Sequence, residues 1–138
     1  MFCGIMTAMS PQQTALQEGI EVDVHPHYLP EQSNPPQAEY AFSYTVFISN
    51  HGEEAVQLLA RRWIITDGHN CSREIEGEGV VGKQPYILPG ETYRYRSGAI
   101  LATKTGSMEG SYRMCSESGI QFDAAIPPFG LIRPGSLQ

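Results

Sequence analysis

The chain has few cysteines that could form disulfide bonds or bind a metal, and it has no long apolar segment that could span a membrane. Its 138 residues include only three cysteines, Cys3, Cys71 and Cys115, and these form no C-x-x-C pair. This pattern fits a reducing compartment and argues against a disulfide framework or a zinc ribbon. No window approaches the roughly 20 apolar residues of a membrane span, and residues 1–10 lack the positive charge of a signal peptide. We therefore expect a cytoplasmic protein with no membrane partner.

Positive charge is also scarce. Nine lysines and arginines face fifteen acidic residues, which gives a formal net charge of −6. Because affinity for nucleic acid comes mainly from lysine and arginine, we expect no nucleic-acid partner. The length is that of one domain, and such a domain buries about two-thirds of the surface of its unfolded chain. It therefore needs no metal or disulfide to fold.

What the sequence does contain is a series of segments in which apolar and polar residues alternate. Alternation with a period of two is typical of half-buried strands, and no window shows the periodicity of an amphipathic helix. The strand-like segments are residues 19–29, 40–50, 55–66, 71–76, 84–90, 91–97, 108–115 and 120–126. Turn residues separate them. The pattern predicts an all-β fold, an antiparallel β-sandwich of seven to eight strands.

Several details of this sandwich follow from single residues. Pro26 lacks a backbone donor, so pairing should stop there or the strand should lie at an edge. The apolar phase slips near Arg61 and Arg62, which predicts a β-bulge. Trp63 is expected in the core, and residues 127–128, both proline, should end the last strand. We assign residues 1–17 to a flexible N-terminal tail, 18–134 to the sandwich domain and 135–138 to a C-terminal tail.

One local pattern suggests ligand chemistry. Gly77, Gly79 and Gly82 have the G-x-G-x-x-G spacing of a phosphate-binding fingerprint. In a dinucleotide-binding fold this motif opens a helix, and Pro85 and Pro89 exclude a helix here. Two interpretations remain. The glycines permit positive φ angles at a crossover, or they also form a nest of N–H groups that binds an anion.

The anion interpretation needs positive charge near the glycines. Lys83 and Arg73 flank the motif and complete a candidate anion site with Gly77, Gly79 and Gly82. Glutamates at positions 74, 76 and 78 lie close by in sequence and would repel a phosphate. The structural interpretation is therefore favoured, and phosphate or pyrophosphate binding is kept as the alternative.

Metal binding and catalysis have little support. His25 and His27 lie two residues apart and could share a face, with His51 or His69 completing a site, but an exposed pair at a strand end is the simpler interpretation. No serine, threonine or cysteine has the setting of a nucleophile, although Cys71 is close to an arginine. We predict no catalytic residue, no metal ligand and no cofactor.

Six separate segments resemble the ApaG domain family, in the order in which that family has them. They are EEAVQLLARRWIITD at 53–67, GEGVVGKQP at 77–85, LPGE at 88–91, YRSG at 95–98, TGSMEGSY at 105–112 and IPPF at 126–129. The likeness extends over residues 19–134. It implies an immunoglobulin- or fibronectin-III-like sandwich in a stand-alone bacterial-type protein.

The resemblance also implies a class of function. Relatives of the ApaG domain occur fused to F-box and polymerase-interacting proteins, and the family's genes are linked to diadenosine tetraphosphate hydrolysis and to cobalt and magnesium homeostasis. We therefore expect a non-enzymatic binding module that contacts another protein, or a second copy of itself, through a sheet face or edge. The alternative is a module that binds phosphate-rich nucleotides, such as dinucleoside polyphosphates, at the glycine loop.

Overall fold

A computed structural model describes residues 9–135, which form two packed antiparallel sheets and one short helix. The elements are helix α1 at Pro11–Glu18 and strands β1 at Ile20–Tyr28, β2 at Tyr40–Asn50, β3 at Val56–Asp67, β4 at Ser72–Glu78, β5 at Tyr86–Ile87, β6 at Thr92–Leu101, β7 at Thr105–Ser116 and β8 at Gln121–Ile132. Two short 3-10 turns lie between β1 and β2. The predicted all-β antiparallel sandwich is confirmed.

The two sheets differ in width. The first sheet has the order β1-β2-β6, and the second has the order β4-β3-β7-β8 with β5 also paired to β3. On one side of the sandwich β1 and β8 lie against each other. On the opposite side the terminal strands are β6 and β4, and each pairs with a neighbour along one edge only. This side of the sandwich is therefore open.

The core lies between the sheets and follows the predicted alternation. Phe42, Val46 and Ile48 of β2 are at most 1% exposed, and Trp63 of β3 is 2% exposed. The Trp63 ring packs edge-on against Tyr44 with ring centroids 5.3 Å apart. Burial of each such side chain stabilises the fold by about 1.5–3 kcal/mol, so these strands hold the sheets together. The prediction that Trp63 lies in the core is confirmed.

The positions of the prolines and of the β-bulge agree with some of the strand predictions and differ from others. Pro26 lies in β1, an edge strand, opposite Tyr44, as the edge alternative required. The register of β3 shifts between Leu58 and Ala60, two to three residues before the predicted bulge. The prediction that residues 127–128 end the last strand is wrong. β8 continues to Ile132 because it lies at a sheet edge and its register with β7 shifts at the two prolines.

Helix α1 was not predicted from the sequence and lies in the segment assigned to the N-terminal tail. It has a capping box, in which the Ser10 hydroxyl accepts the Gln13 N–H and the Gln13 side chain accepts the Ser10 N–H. The Gln13 and Gln17 side chains donate to the backbone carbonyls of Gln121 and Asp123, at 2.9 and 2.8 Å. The helix thus covers the start of the outer edge of β8. Within residues 9–135 no helix is long and apolar enough to cross a membrane.

Removal of α1 should expose the edge of β8 and promote association. Deletion of residues 1–18 leaves the carbonyls of Gln121 and Asp123 without their side-chain donors, and uncovered strand edges pair with other chains. We expect larger particles in dynamic light scattering, growing with protein concentration. A chain that starts at Ser10 retains the cap and is the control. Equal particle sizes for the two chains would show that α1 does not protect this edge.

Candidate functional site

A cleft of about 740 Å³ opens between the free strands β6 and β4. Arg61 of β3 and Arg73 and Ile75 of β4 line it from the second sheet. Five consecutive residues of β6, positions 96–100, line it from the first sheet, with Arg96 at one end. We call this cavity the arginine cleft. It contains three of the nine lysines and arginines of an otherwise acidic chain.

Strand alternation separates the charges of β4 between two faces. Arg73 pairs with Ile65 and Ile75 pairs with Trp63, so both lie on the inner face that turns towards the cleft. The glutamates at positions 74, 76 and 78 have the opposite parity and lie on the outer face. There Glu74 receives a hydrogen bond from Arg62 at 2.5 Å, which lowers the pKa of its carboxyl. The glutamates that argued against anion binding are therefore not in the cleft.

The three cleft arginines contact neutral acceptors only. Arg61 Nη1 donates to the carbonyls of Glu78 and Gly79, at 3.0 and 2.9 Å. Arg73 Nη2 donates to a carbonyl of β6 at 3.1 Å, and Arg96 Nη2 donates to the Ser43 hydroxyl at 3.3 Å. Among residues 9–135 none of these arginines forms an ion pair, and no carboxylate lines the cleft. Their charge is thus available to an anionic ligand.

A cluster of buried tyrosines lies beneath the cleft and ties the two sheets together. Tyr95 of β6 and Tyr112 of β7 share a hydrogen bond between their hydroxyl groups. Burial raises the pKa of Tyr95 and of Tyr112, and Tyr95 raises the pKa of Tyr112 further. Burial also raises the pKa of Tyr44, which lines the cleft. The hydroxyl groups of this cluster therefore stay protonated across the physiological pH range.

The first glycine of the G-x-G-x-x-G motif makes room for a cleft arginine. The Arg61 guanidinium lies over Gly77, where a Cβ atom would come within 2.8 Å of Nη2. The same guanidinium donates to the carbonyls of the next two residues. Gly77 therefore lets Arg61, an inward-facing residue of β3, reach across to the end of β4.

The other two motif glycines form a tight hairpin. Gly79 has φ +63°, and a Cβ there would come within 2.3 Å of the Lys83 carbonyl oxygen. Val80 and Lys83 exchange two backbone hydrogen bonds, at 2.8 and 3.0 Å, and Gly82, with φ +78°, lies in the turn between them. The Gly79 N–H donates to the Leu59 carbonyl at 2.8 Å. Three amides of the hairpin are thus used internally, which supports the structural interpretation of the motif.

The predicted anion-site residues are only partly brought together. Gly77, Gly79, Gly82 and Lys83 lie in or beside one hairpin, whereas Arg73 lies near the other end of β4, in the arginine cleft. Anion binding at the hairpin stays a prediction. Neither Arg61 nor Arg96 was predicted from the sequence as a site residue. The sequence contains one indication for Arg61. It lies two positions before Trp63 in a strand, so its side chain is on the same inward face as the tryptophan.

The histidines and the exposed thiol contact local partners. His25 Nε2 lies 2.9 Å from Asp23 Oδ2, and His51 Nε2 lies 2.8 Å from Glu21 Oε1. No group of three potential metal ligands is assembled anywhere in residues 9–135. Cys71 is exposed in the β3–β4 hairpin. None of these residues lines the arginine cleft.

Comparison with known proteins places the fold among described relatives. Residues 30–116 match the family model described as the ApaG domain. The protein ApaG of Pseudomonas aeruginosa strain LESB58 is 55% identical over 121 residues, which cover 88% of this chain and 96% of that protein. The protein ApaG of Caulobacter vibrioides is 54% identical over 117 residues, covering 85% and 84% of the two chains.

Solved structures agree with the sequence relatives. A structural-genomics X-ray structure that is 48% identical superposes with a TM-score of 0.86 and covers 90% of this chain and 94% of that one. A crystal structure of an ApaA protein from Bordetella pertussis, 47% identical, gives a TM-score of 0.82 and covers 85% and 95% of the two chains. The sequence and the fold thus point to the same group of proteins.

Proposed function

Since the chain belongs to the ApaG domain family, we propose that it is a non-enzymatic binding module whose arginine cleft recognises an acidic region of a partner protein. The observation that carries this proposal is the group of three arginines, Arg61, Arg73 and Arg96, that line one cleft without a carboxylate partner in residues 9–135. A guanidinium binds carboxylates through charge-assisted, often bidentate hydrogen bonds.

The lining of the cleft supports binding rather than catalysis. Among the described residues it includes no histidine, cysteine, aspartate or glutamate, the side chains that most often act as general acids, bases or strong nucleophiles. Its hydroxyl groups include Tyr44, whose pKa is raised by burial. The link of the family to cobalt and magnesium homeostasis stays a prediction.

A phosphate-bearing small ligand is the second candidate for this cleft. Guanidinium groups pair with phosphate as readily as with carboxylate. Arg61 connects this possibility to the glycine hairpin, because it donates to the carbonyls of Glu78 and Gly79 while it lines the cleft. A polyphosphate would use the same three arginines, so the two candidates compete for one site.

Replacement of Arg73 and Arg96 by glutamine should weaken binding of an acidic peptide on the order of tenfold, because two charge-assisted contacts are lost. Fluorescence anisotropy of a labelled seven-residue peptide of glutamate and valine, with glutamates at both odd and even positions so that both faces of an extended strand carry carboxylates, measures this. The matched control is Arg62→Gln with Arg113→Gln, which removes the same charge from the outer face, where both arginines have carboxylate partners. We expect less than about a twofold effect for the control.

Three results would contradict the proposal. Equal weakening in both double variants would show that only net charge matters, and equal affinity for the lysine–valine counterpart peptide would show that charge does not matter. Failure of the acidic peptide to bind at all would exclude the site as a protein-binding cleft. Binding of inorganic tripolyphosphate without binding of the peptide would assign the cleft to the second candidate. Trp63, the single tryptophan, lines the cleft and reports either ligand by its fluorescence.

A further inference from the structure

The free edge of β6 presents unpaired backbone groups to the arginine cleft. Arg73 of β4 donates to the Ile100 carbonyl from across the cleft, so this carbonyl points away from β2, the neighbour of β6. In an antiparallel ladder the direction of the backbone groups alternates from residue to residue. The N–H and C=O groups of Arg96 and Gly98, which share the parity of Ile100, therefore point to the cleft as well.

The neighbouring strand confirms this direction. Ala41 of β2 lies opposite Ile100, and its carbonyl accepts the Leu29 N–H at 2.8 Å on the side away from β6. Ala41 and Ile100 are thus a non-hydrogen-bonded pair, which requires the backbone groups of Ile100 to face outwards. Apart from the Arg73 contact, this edge has no protein partner in residues 9–135.

The first sheet is narrower than the second, and the space beside β6 lies over an uncovered strand. Every residue of β4 except Gly77 is exposed, including the inward-facing Ile75, which is 38% exposed. Ile100 of β6 is 57% exposed. Strands in a sheet are about 4.8 Å apart and packed sheets about 10 Å apart. One more strand beside β6 would thus cover the inner face of β4, including Ile75, and would lie next to the outward-facing Ile100.

The charges around this position indicate what the added strand carries. Arg61 and Arg73 approach the position of the added strand from the second sheet. Arg96 lies on the other face of the first sheet, the face that points away from the core. Acidic side chains on either face of an added strand would therefore meet an arginine. A second copy of this chain would bring its own Arg94 and Arg96 to the same edge, where like charges repel.

We propose that an extended acidic segment of a partner protein adds to the β6 edge as a fourth strand of the first sheet. Its backbone pairs with Arg96, Gly98 and Ile100, and its carboxylates contact the three cleft arginines. This mode of recognition, in which backbone bonds supply affinity and side chains supply specificity, is strand addition. The inference rests on the proposed function, because it assumes that the cleft binds an acidic protein segment.

Amide hydrogen exchange of the intact chain, measured by NMR with the glutamate–valine peptide, tests the backbone pairing. The N–H groups of Arg96, Gly98 and Ile100 should exchange at least about tenfold more slowly when the peptide is bound, because they gain hydrogen bonds. Those of Ser97 and Ala99, which already face β2, should change little. Uniform protection across residues 96–100, or none, would overturn strand addition.

A modified peptide tests the same point from the side of the ligand. The glutamate–valine peptide, N-methylated at two adjacent central residues, presents a methyl group at either edge and keeps its charge. We expect its affinity to fall at least about tenfold, because backbone pairing is blocked. Unchanged affinity would show that only the side-chain charges are recognised.

The outcomes separate this inference from the proposed function. If the unmodified peptide binds and depends on Arg73 and Arg96, but N-methylation has no effect, the proposed function holds and strand addition is wrong. If neither peptide binds, both are wrong. If, without peptide, protection of the Arg96, Gly98 and Ile100 amides from exchange increases with protein concentration, the edge binds a second copy of the chain and the inference is wrong.

Discussion

Replacement of Gly79 by alanine is expected to destabilise the protein by about 3 kcal/mol, from backbone strain and a steric clash together. Gly79 has φ +63°, and the new Cβ would lie 2.3 Å from the Lys83 carbonyl oxygen, which accepts the Val80 N–H. Relief of this contact requires the hairpin to open. Thermal unfolding followed by circular dichroism should show a loss on the order of 10 °C.

Gly82→Ala is the matched control for this prediction. Gly82 has φ +78°, but no atom lies within 4 Å of its added Cβ, so only the conformational strain remains. We expect a cost of about 1 kcal/mol. Equal losses for the two variants would show that the contact with Lys83 does not matter. The Gly79 variant should also weaken peptide binding, because the Gly79 carbonyl holds Arg61 in the arginine cleft.

The second large effect is expected at alkaline pH. Burial holds the pKa of Tyr44, Tyr95 and Tyr112 above the ordinary tyrosine value in the folded protein, whereas the unfolded chain releases these protons near pH 10. The stability that this cluster contributes is therefore fully present below about pH 10 and is lost as pH rises further. Each tyrosine that keeps its proton in the folded protein costs about 1.4 kcal/mol per pH unit in that range, so the free energy of unfolding should fall steeply above pH 10.

Urea unfolding at pH 8, 10 and 11, together with tyrosinate absorbance at 295 nm, measures this loss. Ionisation of the buried tyrosines should coincide with the loss of the circular dichroism signal. The double variant Tyr95→Phe with Tyr112→Phe removes both partners of the buried hydrogen bond and should be less sensitive to pH. Ionisation of all seven tyrosines near pH 10 in a folded protein would refute the prediction.

The strands could be predicted because burial on one face imposes a period of two on residues such as Phe42, Val46 and Ile48. Helix α1 was missed because its eight residues include little apolar surface, although the Ser10 and Gln13 capping box was present in the sequence. The continuation of β8 past two prolines depends on its position at a sheet edge, which no local pattern reveals.

The arginine cleft was less predictable than the strands, for a geometric reason. Arg61, Arg73 and Arg96 lie on three strands, and the contact between β4 and β6 is made across the open side of two different sheets. Local alternation gives the face of each side chain within its own sheet. It does not give the lateral order of the strands, which decides that Arg73 faces β6. The positive φ angles of the glycine motif could be predicted locally, but they serve a hairpin between β4 and β5 of one sheet and not a crossover.

The position of α1 determines how many other chains one molecule can join. With the helix on β8, one open side remains, at β6 and β4, and a molecule with one such side forms complexes of limited size. Without the helix the start of β8, at Gln121 and Asp123, would be uncovered in addition to the β6 and β4 side. Contacts between unlike edges form closed rings where the geometry allows it and otherwise lead to linear polymers. Under the proposed strand addition, the contacts of Gln13 and Gln17 with β8 thus leave each molecule one open side for a partner.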